Sequence, residues 1–346
     1  MKRIISLLLA VTLALSCTLA LSSCGEKNNR LPIVCGEAGM NDIAGVATYG
    51  VDYYSLGVKA GDMAADILID GDDPSAMPVA TDPNPALTVN SAVADDIGLT
   101  IPQAILDRAT DAQTSTVTRV ESAIVSDGAD YVVGILQLLP HVALDQANEG
   151  FQDQLSVRMN AAGKTVKIYD NDASGEDSNN MTIATTYVTQ NVDLIYTIAT
   201  SSSVAAMTAT EGTDIPVLFN AVTNPVGEGL VESMNAPGGN VTGVSDINPV
   251  EAQLDLIAEL TGKENPKIGF LYTSSETNSV FQVKTLGIPH CNEKGYTYVE
   301  SGIVDITNLQ SAMLKLQQEG VDAIYIPTDN LLANAAATVH ELNCGE

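Results

Sequence analysis

From residue 131 onward the chain alternates short apolar runs with amphipathic stretches, and this alternation restricts the fold more than any other feature. Residues 131–136 (YVVGIL) read as a buried strand. Leu144, Ala147, Phe151, Leu155 and Met159 then recur at three- and four-residue steps, the spacing of one helix face. Strand at 165–169, helix at 177–190, strand at 193–198, helix at 202–211 and strand at 215–219 follow with short connections. A second series opens at Asn248-Pro249-Val250-Glu251, with a cap, a proline at the first helical position and an acid three residues after the cap. That helix runs to about Leu260. Strand at 267–271 follows, then a helical stretch over 277–294 interrupted by Pro289, strand 296–300, helix 306–318, strand 321–326 and helix 329–342. Such alternation predicts parallel sheets covered by helices on both faces, here as two Rossmann-like α/β lobes with a cleft between them.

The segment before residue 131 is less regular. Residues 31–35 read as a strand with no helix before it, and 54–69 as a helix with Leu56, Ala60, Met63, Ala64 and Ile67 on one face. Residues 70–85, rich in Asp and Pro, read as loop, 86–90 as strand, 91–97 and 103–109 as short helices, and 110–128 as a polar linker. The helix at 329–342 has no strand after it, so the second sheet looks one strand short.

The first residues carry an address. Lys2 and Arg3 precede an almost unbroken apolar run from Ile4 to Leu21, closed by Leu21-Ser22-Ser23-Cys24. This pattern predicts a lipoprotein export signal over 1–23, with Cys24 as the lipidated first residue of the mature chain. A plain secretory cut near Ala20 is the alternative. The net charge of −28 suits a soluble exported body and opposes contact with nucleic acid or anionic headgroups. Cys35, Cys291 and Cys344 are too few for a disulfide framework; a Cys35–Cys344 bridge is compatible with an oxidising compartment, but spacing does not establish it.

Several stretches resemble the tryptophan/tyrosine-type substrate-binding proteins of ABC importers: GILQLLPHVALDQANEGF (134–151), NAVTNPVGEGLVESMNAPGGNVTGVSD (220–246), LYTSSETNSVFQV (271–283), YIPTDN (325–330), GEAGM (36–40) and ATYGVDYYSLG (47–57). The resemblance implies the type I periplasmic-binding-protein fold. It also implies a small ligand, an aromatic amino acid in this family, held between the lobes. The partners it implies are a permease and an ATPase, with the membrane reached through the lipid anchor; no cofactor, metal or nucleic acid is implied. The order differs from the family, where the GEAGM and TYGVDYY segments lie at the carboxyl end. This implies a circularly permuted order cut between 342 and 31, with the old termini joined through the linker. The expected organisation is signal 1–23, tether 24–30, lobe 2 strand 31–48, lobe 1 helix 49–72, lobe 2 tail 73–110, linker 111–130, lobe 1 at 131–246 and lobe 2 at 247–346. The six residues Gly25 to Arg30 reach about 20 Å when extended, which would hold lobe 2 close to the bilayer.

Ligands of open parallel α/β sheets sit beyond the carboxyl ends of the strands. Reading off those ends gives Gln137, Thr200, Ser201, Ser202, Thr223 and Asn224 in the first lobe. Thr273, Ser274, Ser275, Thr328, Asp329, Asn330 and Glu37 stand at strand ends of the second, and Asn278 joins the expected ligand contacts. Asp329 or Glu37 suits an ammonium group, and helices opening at Ser201 and Ser275 suit a carboxylate. Tyr49 and Tyr54 offer flat apolar contact; Tyr53 and Tyr54, as helix neighbours, cannot both face the cleft. The plainer roles are helix caps for Ser201, Ser202, Ser275 and Asp329, and turn contacts for Glu37 and Asn224, where the family has an acid in place of Asn224. His141 is expected at a helix start on the edge of the cleft, and the histidines share no metal-ligand spacing.

Three functions compete. The first is an extracytoplasmic solute-binding lipoprotein on the outer face of a bacterial membrane, or in a periplasm, that does no chemistry. The second is an exported α/β enzyme, opposed by the lack of a Gly-x-Gly-x-x-Gly, Gly-x-Ser-x-Gly, phosphate-loop or His-Glu-x-x-His motif. The third is a rearranged relic without transport activity. Turnover of an amino acid would favour the second, and a cooperative melt insensitive to every amino acid the third.

Overall fold

The computed structural model describes residues 30–110 and 116–345, so the expected signal segment and Cys24 lie outside the described residues. The chain enters as strand β1 (Ile33–Cys35), followed by a one-turn helix α1 (Ala38–Asn41), β2 (Ala47–Gly50) and α2 (Tyr53–Ala65). Next come β3 (Ala86–Val89), α3 (Ser91–Asp96) and α4 (Gln103–Leu106). The regular run is β4 (Tyr131–Gln137), α5 (Val142–Ala161), β5 (Val166–Asp172), α6 (Asp177–Thr189), β6 (Leu194–Ile198), α7 (Thr200–Ala209), β7 (Val217–Asn220) and β8 (Val241–Gly243). The rest is α8 (Val250–Thr261), β9 (Lys267–Thr273), α9 (Thr277–Phe281), α10 (Ile288–Lys294), β10 (Thr297–Ile303), α11 (Leu309–Glu319), β11 (Ala323–Ile326), α12 (Asn330–Asn334) and α13 (Ala336–Cys344).

These strands form two sheets. Lobe 1 has the parallel order β5-β4-β6-β7-β8, and lobe 2 the order β10-β9-β11-β1-β2-β3 with β3 antiparallel. The strand that the second sheet lacks at its carboxyl end is supplied by the first strand of the chain: β1 runs parallel to β11 with Ile33 opposite Ile324. Both sheets therefore share one winding, and each carries an apolar cluster on either face. The mostly apolar runs of β4 (YVVGILQ), β6 (LIYTI) and β11 (AIYI) are what burial on both faces requires.

Helix α2 lies between lobe 2 strands in sequence but packs on α5 of lobe 1. The two backbones touch: a Cβ on Gly57 would stand 2.2 Å from the Ala147 carbonyl oxygen, and one on Gly150 2.2 Å from that of Tyr54. Arg158 bridges from α5 to Asp62 and Asp66, and Phe151 stacks on Tyr196 with centroids 3.7 Å apart.

Several details differ from the sequence reading. Residues 73–81 serve lobe 1, not lobe 2: the Val79 and Ala80 N–H groups donate to the Met234 and Gly243 carbonyls. The end of the linker is packed rather than free: Val120 N–H donates to Ser156 Oγ, Val125 N–H donates to the Val166 carbonyl, and Ala123 is buried. These contacts are mainly backbone, so composition carries no sign of them. Pro289 does not end its helix. It has no N–H for the Thr285 carbonyl, and the chain takes a wide π turn over Gln282–Gly287 before α10. Asn248 does not cap α8, whose cap position is Pro249; its side chain is used elsewhere. The expected helix at 329–342 is divided at Ala335. None of Cys35, Cys291 and Cys344 is in a disulfide, and Cys344 Sγ lies 3.7 Å from His340 Nε2. Among the described residues no helix is long and apolar enough to cross a membrane.

Candidate functional site

The strand order of each sheet reverses between β4 and β6 in lobe 1 and between β9 and β11 in lobe 2. Loops leave in opposite directions at such a point and open a crevice. The two crevices face each other. Between them lies an outer cavity of about 330 Å³, lined from lobe 1 by Met181, Thr200, Ser201, Val204 and Ala205 and from lobe 2 by Ser275, Glu276, Asn278 and Asn330. Behind it is a small cavity with about 10 Å³ of free space, bordered by the buried Glu37, Tyr53, Asp246, Thr328 and Asp329 and by His141. Asn278 and Asn330 line both, and so form the partition.

The deep cavity is an assembly of carboxyl groups. Glu37 caps α1: its two oxygens accept from the Gly39 and Met40 N–H groups at 2.7 and 2.6 Å. Asp246 accepts from the Tyr53 hydroxyl at 2.7 Å and from Thr223 Oγ1 at 2.9 Å. Both are buried. Burial pushes Glu37 up to about 7, opposed by its two N–H donors and helped by Asp42 and Asp246; burial also raises Asp246. Asp329 accepts from Thr273, Ser279 and the Leu332 N–H, and is raised by burial. Glu276 accepts from the N–H groups of Asn330 and Leu331, and burial and the Asp329 charge push it up to about 7. Among the described residues no lysine or arginine lines either cavity. The arrangement therefore favours a cation, and each carboxyl holds its proton more tightly than it would in water.

The opposite polarity comes from α7. Its cap residue Ala199 has φ of 85° and no side chain caps the helix, so the first-turn N–H groups are left without an intrahelical acceptor at the point where Thr200 and Ser201 line the outer cavity. Ala221, at the end of β7, is also left-handed with φ of 55° and borders the deep cavity. Two non-glycine residues in this region, at neighbouring strand ends facing one crevice, are local strain gathered at the site.

Of the residues chosen from the sequence, Glu37, Asn278, Thr328 and Asp329 reach the deep cavity, and Thr200, Ser201, Ser275 and Asn278 the outer one. The others do not line either. Gln137 donates to Leu139 and Asp145 and orders the turn into α5. Ser202 is buried against Asn180, Ser274 donates to the Ile303 carbonyl, and Asn224 accepts from Gly227 within its own turn. Thr223 acts one step back, on Asp246. Tyr49 packs in the lobe 2 core. Tyr54 is turned away: its hydroxyl lies 2.9 Å from Asp153 and accepts from the Val117 N–H, whereas Tyr53 borders the deep cavity. Sequence reasoning missed Asp246 and Glu276, preferred Tyr54 to Tyr53, and placed Asn330 at a strand end without counting it among the ligand contacts. Asp246 closes the VTGVSD stretch and Asn330 the YIPTDN stretch, so both were within sight; the choice of Tyr53 needed the angle at which α2 meets α5. Asn248 joins the crossover segments, accepting from the Val51 N–H and donating to Thr328.

Two lobes of the same winding, joined by crossovers and closing on a polar cleft, make up the architecture of a solute-binding protein. The sequence model of a family described as ABC transporter substrate binding protein matches residues 13–113 and 132–344, and the chain belongs to this family. A tyrosine-binding protein of Clostridioides difficile (strain R20291) is 38% identical over 210 residues, which is 61% of this chain and 59% of the relative's length. The matched part thus spans about three fifths of that relative. Among solved structures, an ABC domain from Streptococcus pneumonia in complex with L-Trp is 35% identical, with a TM-score of 0.55 over 61% of this chain and 70% of that one. A conserved domain protein from Vibrio cholerae is 31% identical, with a TM-score of 0.55 over 62% and 71%.

Proposed function

We propose that this protein captures an aromatic amino acid between its lobes and delivers it, unchanged, to the permease and ATPase of an importer. The observation that carries this reading is the pairing of buried Glu37 and Asp246 with the uncapped start of α7 across one cleft. Glu37 and Asp246, with Thr328 beside them, take the ligand's ammonium group, and the N–H groups at Thr200 and Ser201 take its carboxylate. Met181, Val204 and Ala205 supply the apolar wall for a ring. The ligands named for the Clostridioides and Streptococcus relatives support the aromatic class. Thr223 and Tyr53 orient Asp246, and the segments at Val51 and Asn248 serve as the hinge.

The chain is exported and held by lipid at Cys24, on the strength of the Lys2–Cys24 pattern. Its order is a circular permutation of the family's. The position of β1 beside β11 supports this, as does the 210-residue match to the curated relative, comparable in length to 132–344 alone. Calorimetric titration of the purified protein with L-tryptophan, L-tyrosine and L-phenylalanine tests the function. At least one binds at micromolar concentration or tighter, and remains chemically unaltered after overnight incubation. No heat from any of the three at millimolar concentration overturns the ligand class, and a changed amino acid in the recovered solution overturns the passive role.

A further inference from the structure

Away from the crossover segments, a hydrogen-bond chain joins the bodies of the lobes. Asn330, at the start of α12 in lobe 2, has its Oδ1 3.3 Å from Nε2 of His141, which precedes α5 in lobe 1. The Asn330 amide is fixed from behind. Its Nδ2 donates to Glu276 Oε2 at 2.8 Å, its backbone N–H donates to the same oxygen at 2.9 Å, and the Leu331 N–H donates to Oε1 at 2.9 Å. An ionised carboxylate only accepts, so it holds the NH2 of the amide and turns Oδ1 toward the imidazole. His141 must then donate from Nε2. Asn330 is also part of the partition between the outer and deep cavities, so the bond forms across the entrance to the carboxyl-lined end.

We propose that Glu276–Asn330–His141 is a closure latch, in which Glu276 is the positioning residue that sets the amide and His141 is the striker on the opposite lobe. This rests on the reading of the cleft as a ligand site that opens and closes. The latch adds a lobe-to-lobe bond that the ligand itself does not make, so its effect falls on how long the closed state lasts. It also makes closure sensitive to acid. Protonated Glu276 can donate from one oxygen, and the amide is then no longer constrained to one orientation. The groups facing this chain are all acids apart from His141 and Tyr53. Asp329, Glu37 and Asp246 lie on the deep side, Asp177 and Glu228 across the outer cavity, and Asp145 beside the imidazole. Burial and Asp329 raise Glu276 to about 7, which sets the range in which the latch loosens. Burial lowers His141 and so favours its neutral form, which must carry its hydrogen on Nε2.

Stopped-flow displacement of the amino acid that binds tightest, and spin-label distances between exposed Glu211 in lobe 1 and Gln318 in lobe 2, test the latch on the full chain. Glu276→Gln and His141→Ala each raise the dissociation rate about 3- to 10-fold with little change in the association rate, as loss of one hydrogen bond implies. The double variant goes no further than either single one, because both break the same chain. His141→Gln, which keeps a donor, recovers most of the slow release. Dissociation from the wild type speeds up as pH falls through about 7; Glu276→Gln loses the part of this acceleration that comes from the latch and keeps the part that Glu37 contributes through the ligand's ammonium group. The same variants widen the spin-label distance distribution without ligand, so failure of every amino acid to bind would refute the ligand class while the distances still decide the latch. Additive effects of the two single variants, or an unchanged distance distribution in both, overturn it.

Discussion

Glu37 is buried, ionisable and without a basic neighbour, and replacing it separates stability from function. Folding raises its pKa from 4.5 to about 7, chiefly through burial. Each tenfold gain in proton affinity corresponds to about 1.4 kcal/mol, so keeping Glu37 ionised in the folded protein costs about 3 kcal/mol relative to the unfolded chain. The folded pKa lies above the unfolded one. The folded state therefore binds the proton more tightly, and stability falls as pH rises from 4.5 to about 7 and is level above that. Glu37→Gln removes this slope. The amide keeps one acceptor for the two N–H groups of Gly39 and Met40 and loses the other, at a cost of about 1 kcal/mol. The variant is thus less stable than the wild type by about 1 kcal/mol at pH 4 and more stable by about 2 kcal/mol at pH 8. Urea unfolding followed by circular dichroism at pH 4, 5.5, 7 and 8.5 measures the difference, and Glu276 and Asp329, present in both proteins, largely cancel. Ligand affinity at pH 8 falls at least about 10-fold in the same variant, as loss of a charge-assisted contact implies. A stability difference that stays constant from pH 4 to pH 8.5 refutes the assignment of a buried, destabilised carboxyl.

Other perturbations follow from the same contacts. Gly150→Val sets its Cβ 2.2 Å from the Tyr54 carbonyl oxygen and forces α2 away from α5, lowering stability by about 3 kcal/mol or more in thermal unfolding. Tyr53→Phe leaves Asp246 with one donor fewer and weakens ligand binding about 5-fold, whereas Tyr54→Phe, which loses the contacts to Asp153 and Val117, leaves affinity unchanged; calorimetry separates them. Arg119→Ala releases Asp153 and the Gln152 amide and loosens residues 117–120, read as faster amide exchange at Val120 with ligand affinity retained.

The class of fold was legible because parallel sheets buried on both faces leave a plain mark: apolar runs at 131–136, 194–198 and 323–326, separated by helical periods. Helix breaks were less legible. Pro289 reads as an interruption, yet a π turn absorbs its missing donor, and neighbouring packing decides between those outcomes. Asn248 reads as a helix cap by local rules, but the crossover offered it the Val51 N–H and Thr328 instead.

For the site, sequence alone determined which residue types stand at strand ends, since strand periodicity and chain order are local properties. Glu37, Thr200, Ser201, Thr328 and Asp329 were found that way. Whether a polar side chain faces the cleft or its own backbone depends on rotations that only packing fixes. Gln137, Ser202 and Asn224 turn inward to turns and helices, while Tyr53 rather than Tyr54 borders the cavity because close approach at Gly57 and Gly150 sets the roll of α2 on α5. The convergence of Glu37, Asp246, Glu276 and Asp329, from segments far apart in the chain, is likewise a product of tertiary structure. Their raised proton affinities come from shared burial and from one another, neither of which exists before the lobes meet.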